Sequence, residues 1–151
     1  MQSSVGIFFT FHKAHLVGQR LLERGWLQQG ISISMSQYLM LEVISKLPNN
    51  PTKALAEYVG CTRATLTRIL RGLVILGYLT KEKSEDRRFK PLSLSPAGEE
   101  ILKQATGWAH KASNLLKPLY TKTQLAQVQE FVDGWTNNLN HEASTLVQWE
   151  I

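Results

Sequence analysis

A chain of 151 residues, 43% of them apolar, has the size and composition of one globular domain. No apolar run approaches the roughly 18 residues needed to span a bilayer, and a single cysteine, Cys61, excludes an internal disulfide or a cysteine-rich zinc site. Of 17 basic and 12 acidic residues, nine and four fall between Asn50 and Lys90, leaving eight of each elsewhere, so the whole net charge of +5 belongs to that middle segment.

From Val5 to Leu27, Ile7, Phe8, Phe11, Leu16, Leu21 and Leu22 recur at helical spacing and stop in the Gly25 to Gly30 region, predicting a long first helix. The apolar start, Val5 to Phe11, has no basic stretch before it and no small-residue cleavage site after it, so neither an export signal nor a membrane anchor is expected, and the lone thiol fits a reducing cytoplasm. Ser34 and Gln37 have capping-box spacing ahead of Tyr38, Leu41, Val43, Ile44 and Leu47, a second helix that Pro48-Asn49-Asn50 ends. Asn50-Pro51 opens a short third helix through Leu55, Ala56 and Val59 to Gly60. After the tight Gly60-Cys61 turn, Thr62 caps a fourth helix carrying Leu66, Ile69, Leu70, Leu73 and Leu76 up to Gly77.

Two helices joined by a glycine-containing turn make a helix-turn-helix candidate. Tyr78 to Lys83 and Phe89 to Leu94 flank the charged stretch Ser84-Glu85-Asp86-Arg87-Arg88 and predict a β-hairpin with a basic tip. Pro91 removes one ladder donor and implies an edge position. Ser95-Pro96 opens a fifth helix running to about Lys117, where Pro118 interrupts, and Thr121 with Gln124 caps a sixth reaching the neighbourhood of Asn140. The first, fifth and sixth helices carry more apolar surface than a small three-helix core absorbs, which points to a second copy of the chain. The fold class is therefore mainly α with a small β-hairpin wing: a winged helix-turn-helix over 34–95, and a helical dimerisation region formed by 1–30 and 96–151, in one unit of 1–151.

On the fourth helix the apolar stripe occupies one side, so Arg63, Ala64, Thr67, Arg68 and Arg71 project from the other. The major groove of DNA admits one α-helix; arginine reads guanine through two parallel hydrogen bonds, and threonine donates, accepts or meets a thymine methyl. A solvated helix face is the plain alternative for three arginines. The order of short helix, tight turn, cationic helix and cationic hairpin within the only net-positive segment favours DNA. At the hairpin, an arginine extended from Asp86-Arg87-Arg88 suits a narrow minor groove, with Asp86 orienting Arg87 or Arg88. Lys81 and Lys90 are candidate phosphate contacts, and Thr62 at the start of the reading helix completes the candidate DNA-binding set.

Leu55-Ala56-Glu57 through Thr62, Thr67-Arg68, Leu73 and Gly77-Tyr78-Leu79 resemble the helix-turn-helix of the MarR (multiple antibiotic resistance regulator) family. Asp86-Arg87-Arg88 followed by Leu94-Ser95-Pro96-Ala97-Gly98 resembles that family's wing signature, Asp-x-Arg and then Leu-Thr-x-x-Gly. The resemblance implies a bacterial winged-helix homodimer that binds double-stranded DNA at a pseudo-palindromic operator. It places the recognition helix in the major groove and a wing arginine in the minor groove. It also implies small-molecule control from a cleft between the DNA-binding and dimerisation regions, with the dimer most often blocking transcription. The chain departs from the pattern at Arg71, where an acidic residue is common, at Gly72, and at Val74-Ile75-Leu76, which replaces a charged stretch. An ion pair from the recognition helix to the wing is therefore not expected. Gly72, unfavourable in mid-helix by up to ~1 kcal/mol relative to alanine, suggests close packing or a bend.

Other signals are weaker. Cys61 occupies a turn position where a small apolar residue is usual, so a packed thiol is expected, with a thiol-sensing regulator as the alternative. His12 and His15 lie one turn apart, but neither they nor His110 and His141 complete a known ligand spacing, so no metal or cofactor is expected. Trp26, Trp108, Trp135 and Trp149 are expected in apolar packing rather than in a ligand pocket. There is no Gly-x-Ser-x-Gly elbow, phosphate loop or His-Glu-x-x-His pattern, so enzyme function is not expected. A winged helix used only for protein contact is the other alternative, and it has no need of a cationic helix face and tip.

Overall fold

A computed structural model describes residues 4–47, 52–81 and 92–146. The element order is α1 (Ser4–Gln28), α2 (Met35–Lys46), α3 (Thr52–Val59), α4 (Arg63–Ile75), β1 (Leu79–Lys81), β2 (Leu92–Leu94), α5 (Pro96–Leu116), a 3-10 turn (Lys117–Leu119) and α6 (Lys122–Leu146). Mainly helical architecture with one small antiparallel hairpin is what the periodicity predicts. Two compact units are present, Met1–His110 and Lys111–Ile151. The first groups α1 and the start of α5 with the winged helix.

Within the first unit, one core gathers Met40, Leu41, Val43 and Ile44 of α2, Leu55 of α3, Leu66 and Leu73 of α4 and Leu79 of β1. Each comes from the apolar face of its own element. The capping box that opens α2 is complete: Gln37 N–H donates to Ser34 Oγ at 3.3 Å, and Ser34 N–H to Gln37 Oε1 at 2.9 Å. At the other end of the helix-turn-helix, Gly77 adopts φ 74°. That left-handed residue lets Tyr78 N–H reach the Leu73 carbonyl and Gly77 N–H the Val74 carbonyl, closing α4 in a Schellman motif.

A second cluster holds Trp26 of α1, Ile31 and Ile33 of the following loop, and Ala105 of α5. The Trp26 indole N–H donates to the Ala105 carbonyl at 2.9 Å, and its ring lies 5.0 Å from that of Tyr38 on α2. Gly25 lies inside α1, where any Cβ would fall within the van der Waals surface of the Trp108 ring of α5. Its glycine thus marks a close helix crossing.

The hairpin pairs Leu79 with Leu94, Thr80 with Ser93 and Lys81 with Leu92. Its predicted tip, Ser84 to Arg88, together with Phe89, Lys90 and Pro91, lies outside the described residues, as do Asn50-Pro51 at the predicted start of α3. The base is anchored by the start of α5. Ser95 Oγ accepts from Gly98 N–H at 3.0 Å and donates to the Gly77 carbonyl, while Ser95 N–H donates to the Tyr78 carbonyl at 3.0 Å. Gly98 is pressed on that same Tyr78 carbonyl, so that a Cβ would sit 2.9 Å from its carbon and closer still to its oxygen.

In the second unit, α5 ends at Leu116 and Lys117–Leu119 tightens into the 3-10 turn, where Pro118 supplies no N–H for a further α-helical bond. Thr121 and Gln124 form the predicted capping box of α6. That helix passes the expected end near Asn140 and continues to Leu146, because no proline or terminal glycine follows Gly134 to stop it.

Candidate nucleic-acid interface

Thr62 caps α4 with an extended backbone, its hydroxyl accepting from Thr65 N–H at 3.3 Å and donating to Thr65 Oγ1 at 3.1 Å. The proposed reader Thr62 therefore spends its side chain on starting the helix. From that cap the 3.6-residue period turns Leu66 and Leu73 into the core, with Ile69 and Leu70 half-buried beside them. The same period turns Arg63, Ala64, Thr67, Arg68 and Arg71 outward, and all five are exposed.

Among the described residues no carboxylate lies within ion-pairing distance of Arg63, Arg68 or Arg71. Their guanidinium groups, which have donors and no acceptors, are available to an external acceptor. With arginine rather than an acidic residue at position 71, the face carries three cations and no carboxylate. Thr67 is the exception in hydrogen-bonding character: its hydroxyl donates to the Arg63 carbonyl at 3.0 Å. Beside the helix, Ser34, Ser36 and Gln37 of the α2 start, with Thr65, Arg68 and Ile69, line an open concavity of about 280 Å³. Gln37 had a capping signature in the sequence, but nothing there placed it beside Arg68.

Gly72 requires neither a bend nor close packing. α4 runs through it without a left-handed φ, and an added Cβ would meet only Gln37 Nε2, at an ordinary 3.7 Å. Lys81 belongs to β1. Asp86, Arg87, Arg88 and Lys90 lie outside the described residues.

Cys61 packs against the main core from the α3–α4 turn. Among the described residues no three metal-ligating side chains converge. Trp26 is fully buried, Trp108 and Trp135 are half-buried, and Trp149 lies outside the described residues. No helix among the described residues is long and apolar enough to cross a membrane.

The sequence profile of the MarR family matches residues 33–90, from the loop before α2 into the hairpin. Solved MarR structures share the fold over most of the chain. A MarR/EmrR family transcriptional regulator from Acinetobacter sp. ADP1 is 17% identical, with a TM-score of 0.73 over 88% of this chain and 96% of that one. Staphylococcus aureus MepR, solved as a DNA complex, is 14% identical, with a TM-score of 0.74 over 86% and 96%. A Mycobacterium tuberculosis MarR family protein, solved with p-aminosalicylic acid, is 17% identical, with a TM-score of 0.66 over 85% and 96%. At such identities the likeness is one of fold. A search of curated proteins finds no significant match. The Ser95–Gly98 junction lies just beyond the matched span, yet it ties the base of the hairpin to the end of α4.

Proposed function

We propose that the chain is a sequence-specific DNA-binding transcriptional regulator, a homodimer that acts on a pseudo-palindromic operator as a ligand-responsive repressor. The observation that carries this reading is the α4 face: Arg63, Ala64, Thr67, Arg68 and Arg71 exposed together while Leu66 and Leu73 hold the opposite side in the core. A helix so presented suits the major groove, where arginine forks match guanine acceptors. Lys81 and the hairpin residues Asp86, Arg87, Arg88 and Lys90 supply the flanking contacts, Arg88 or Arg87 to the minor groove and the lysines to phosphate. The DNA complex of MepR, on the same fold, supports this use of the surface.

Dimerisation is supported by apolar surface the single chain leaves in water. On α1, Ile7, Val17 and Leu21 are exposed along one face, and on α6 Leu125 and Val128 are exposed one turn apart. An effector is supported by an open concavity of about 330 Å³ lined by Glu23, Leu27, Ile31, Ser32, Ile33, Ser34 and Gln37, and by the p-aminosalicylic acid complex of the M. tuberculosis protein. The cytoplasm, where the operator lies, is the proposed location.

Selection of bound duplexes from a random DNA pool tests the reading. Enrichment of a two-fold symmetric sequence, with half-sites about one helical turn (~10 base pairs) apart, is expected, and Arg88→Ala should weaken its binding. A protein that enriches nothing and binds no duplex at low salt refutes it.

A further inference from the structure

We infer that Thr67 is the residue that selects an A·T pair in each half-site, reading it as an acceptor and a methyl group; this rests on the DNA-binding reading above. Arg63, Thr67 and Arg71 form one row along α4 at spacings of four, flanked by Ala64 and Arg68. Four of these five side chains offer donors only or nothing: arginine has no acceptor and alanine neither donor nor acceptor. Thr67, at the centre, differs. A hydroxyl has one proton, and that of Thr67 is given to the Arg63 carbonyl at 3.0 Å. What the exposed side chain presents outward is a pair of oxygen lone pairs beside an apolar methyl.

The major-groove edges sort this chemistry. Guanine shows two acceptors, N7 and O6, which the arginines satisfy and Thr67 cannot. Cytosine offers an amino donor but no methyl. An A·T pair alone offers both the N6 amino donor, which lone pairs accept, and the C5 methyl of thymine, which an apolar group covers. Thr62, with its hydroxyl spent on the α4 cap, does not compete for the role.

The test is selection from a random pool with wild type, Thr67→Ser, which keeps the acceptor and the bond to Arg63 but loses the methyl, and Thr67→Val, which keeps the methyl and loses the acceptor. Titrations then follow on the enriched operator with deoxyuridine replacing thymidine, one position at a time. Wild type should enrich an A·T pair at one symmetric position per half-site, and Thr67→Val should lose roughly fivefold of that preference, the worth of one hydrogen bond. Uracil there should weaken wild type about fourfold, as expected for one buried methyl group, and leave Thr67→Ser unaffected. If both variants select the wild-type sequence at every position, or uracil is neutral throughout, the assignment of Thr67 is overturned while DNA binding stands. Failure of wild type to enrich any sequence overturns both.

Discussion

Replacing Gly98 by alanine should loosen the winged helix at the junction of the hairpin and α5. Gly98 lies on the first turn of α5 against the Tyr78 backbone, and the new Cβ would be 2.9 Å from the Tyr78 carbonyl carbon and 3.3 Å from its Cα, with the oxygen nearer than either. No side chain can rotate out of the way. That oxygen also accepts the Ser95 N–H at 3.0 Å, and Ser95 Oγ in turn bonds Gly77 at the end of α4. Relief must therefore come from moving the start of α5 off the hairpin base. Overpacking of this kind costs about 1–3 kcal/mol, and a stretched Ser95 bond adds about 1 kcal/mol. The better helix propensity of alanine returns up to ~1 kcal/mol. A net loss of roughly 2 kcal/mol follows, or about 4–8 °C in Tm for a chain of this size. Gly72→Ala is the internal control, since its Cβ would meet Gln37 Nε2 at an unstrained 3.7 Å, and it should stabilise by up to ~1 kcal/mol. Urea and thermal unfolding at one fixed protein concentration would measure both, because dimerisation makes Tm concentration-dependent. Gly98→Ala as stable as wild type, or both substitutions shifting stability in the same direction, would refute the reasoning.

Gly25→Ala should force the half-buried Trp108 ring aside, cost about 1–3 kcal/mol and change tryptophan fluorescence; an unchanged spectrum and melting curve would count against the close α1–α5 crossing. Arg68→Ala should cost about 1–3 kcal/mol on the preferred operator and relax preference at one symmetric base pair. Lys90→Ala should instead weaken operator and scrambled duplex alike and lower the salt slope by roughly one, and equal losses on both duplexes for Arg68→Ala would demote it to a phosphate contact. In light scattering at micromolar concentration wild type should exceed the 17.1 kDa of one chain, whereas Leu125→Glu with Val128→Glu should return it towards that mass; a wild-type monomer would remove the homodimer.

Helix existence was legible because each helix carries a start or a stop signal of its own. Ser34 with Gln37, Thr62, and Thr121 with Gln124 all cap as their spacing predicts, and Gly60 and Gly77 end α3 and α4 in left-handed backbone. The outward face of α4 was legible for a related reason: five apolar residues at helical spacing leave only one side for Arg63, Ala64, Thr67, Arg68 and Arg71. What escaped the sequence depends on contacts between distant segments. Gly25 read as a helix stop, whereas its missing side chain admits Trp108, 83 positions along the chain. Ser95 read as a cap and nothing more, yet it also bonds Gly77, and Gly98 completes the junction from the first turn of the same helix. Thr67 read as a threonine of either polarity until the carbonyl that takes its proton was located.

The same local bonds bear on how an effector could act. Glu23 of α1 accepts both the Gln19 side-chain amide at 3.0 Å and the Met35 backbone N–H at 2.8 Å, so the end of α1 holds the first residue of α2. Trp26 fastens α1 to α5, and Tyr38 of α2 bonds Thr106 of α5 at 3.2 Å. The start of α2 is thus tied to two helices outside the helix-turn-helix. Ser34 and Gln37, the two halves of its capping box, line both the concavity that contains Glu23 and the one that contains Arg68. A molecule lodged beside Glu23 would therefore touch the same pair of side chains that borders Arg68 of α4. Proximity alone moves nothing, because a ligand shifts a conformational equilibrium only by its difference in affinity between the states. The capping box supplies such a difference: a ligand group that hydrogen-bonds Gln37 or Ser34 must compete with the box and so binds better where the box is open. Under the proposed function, opening it would loosen the first turn of α2 next to Arg68 and so couple occupancy of one concavity to the setting of the α4 face.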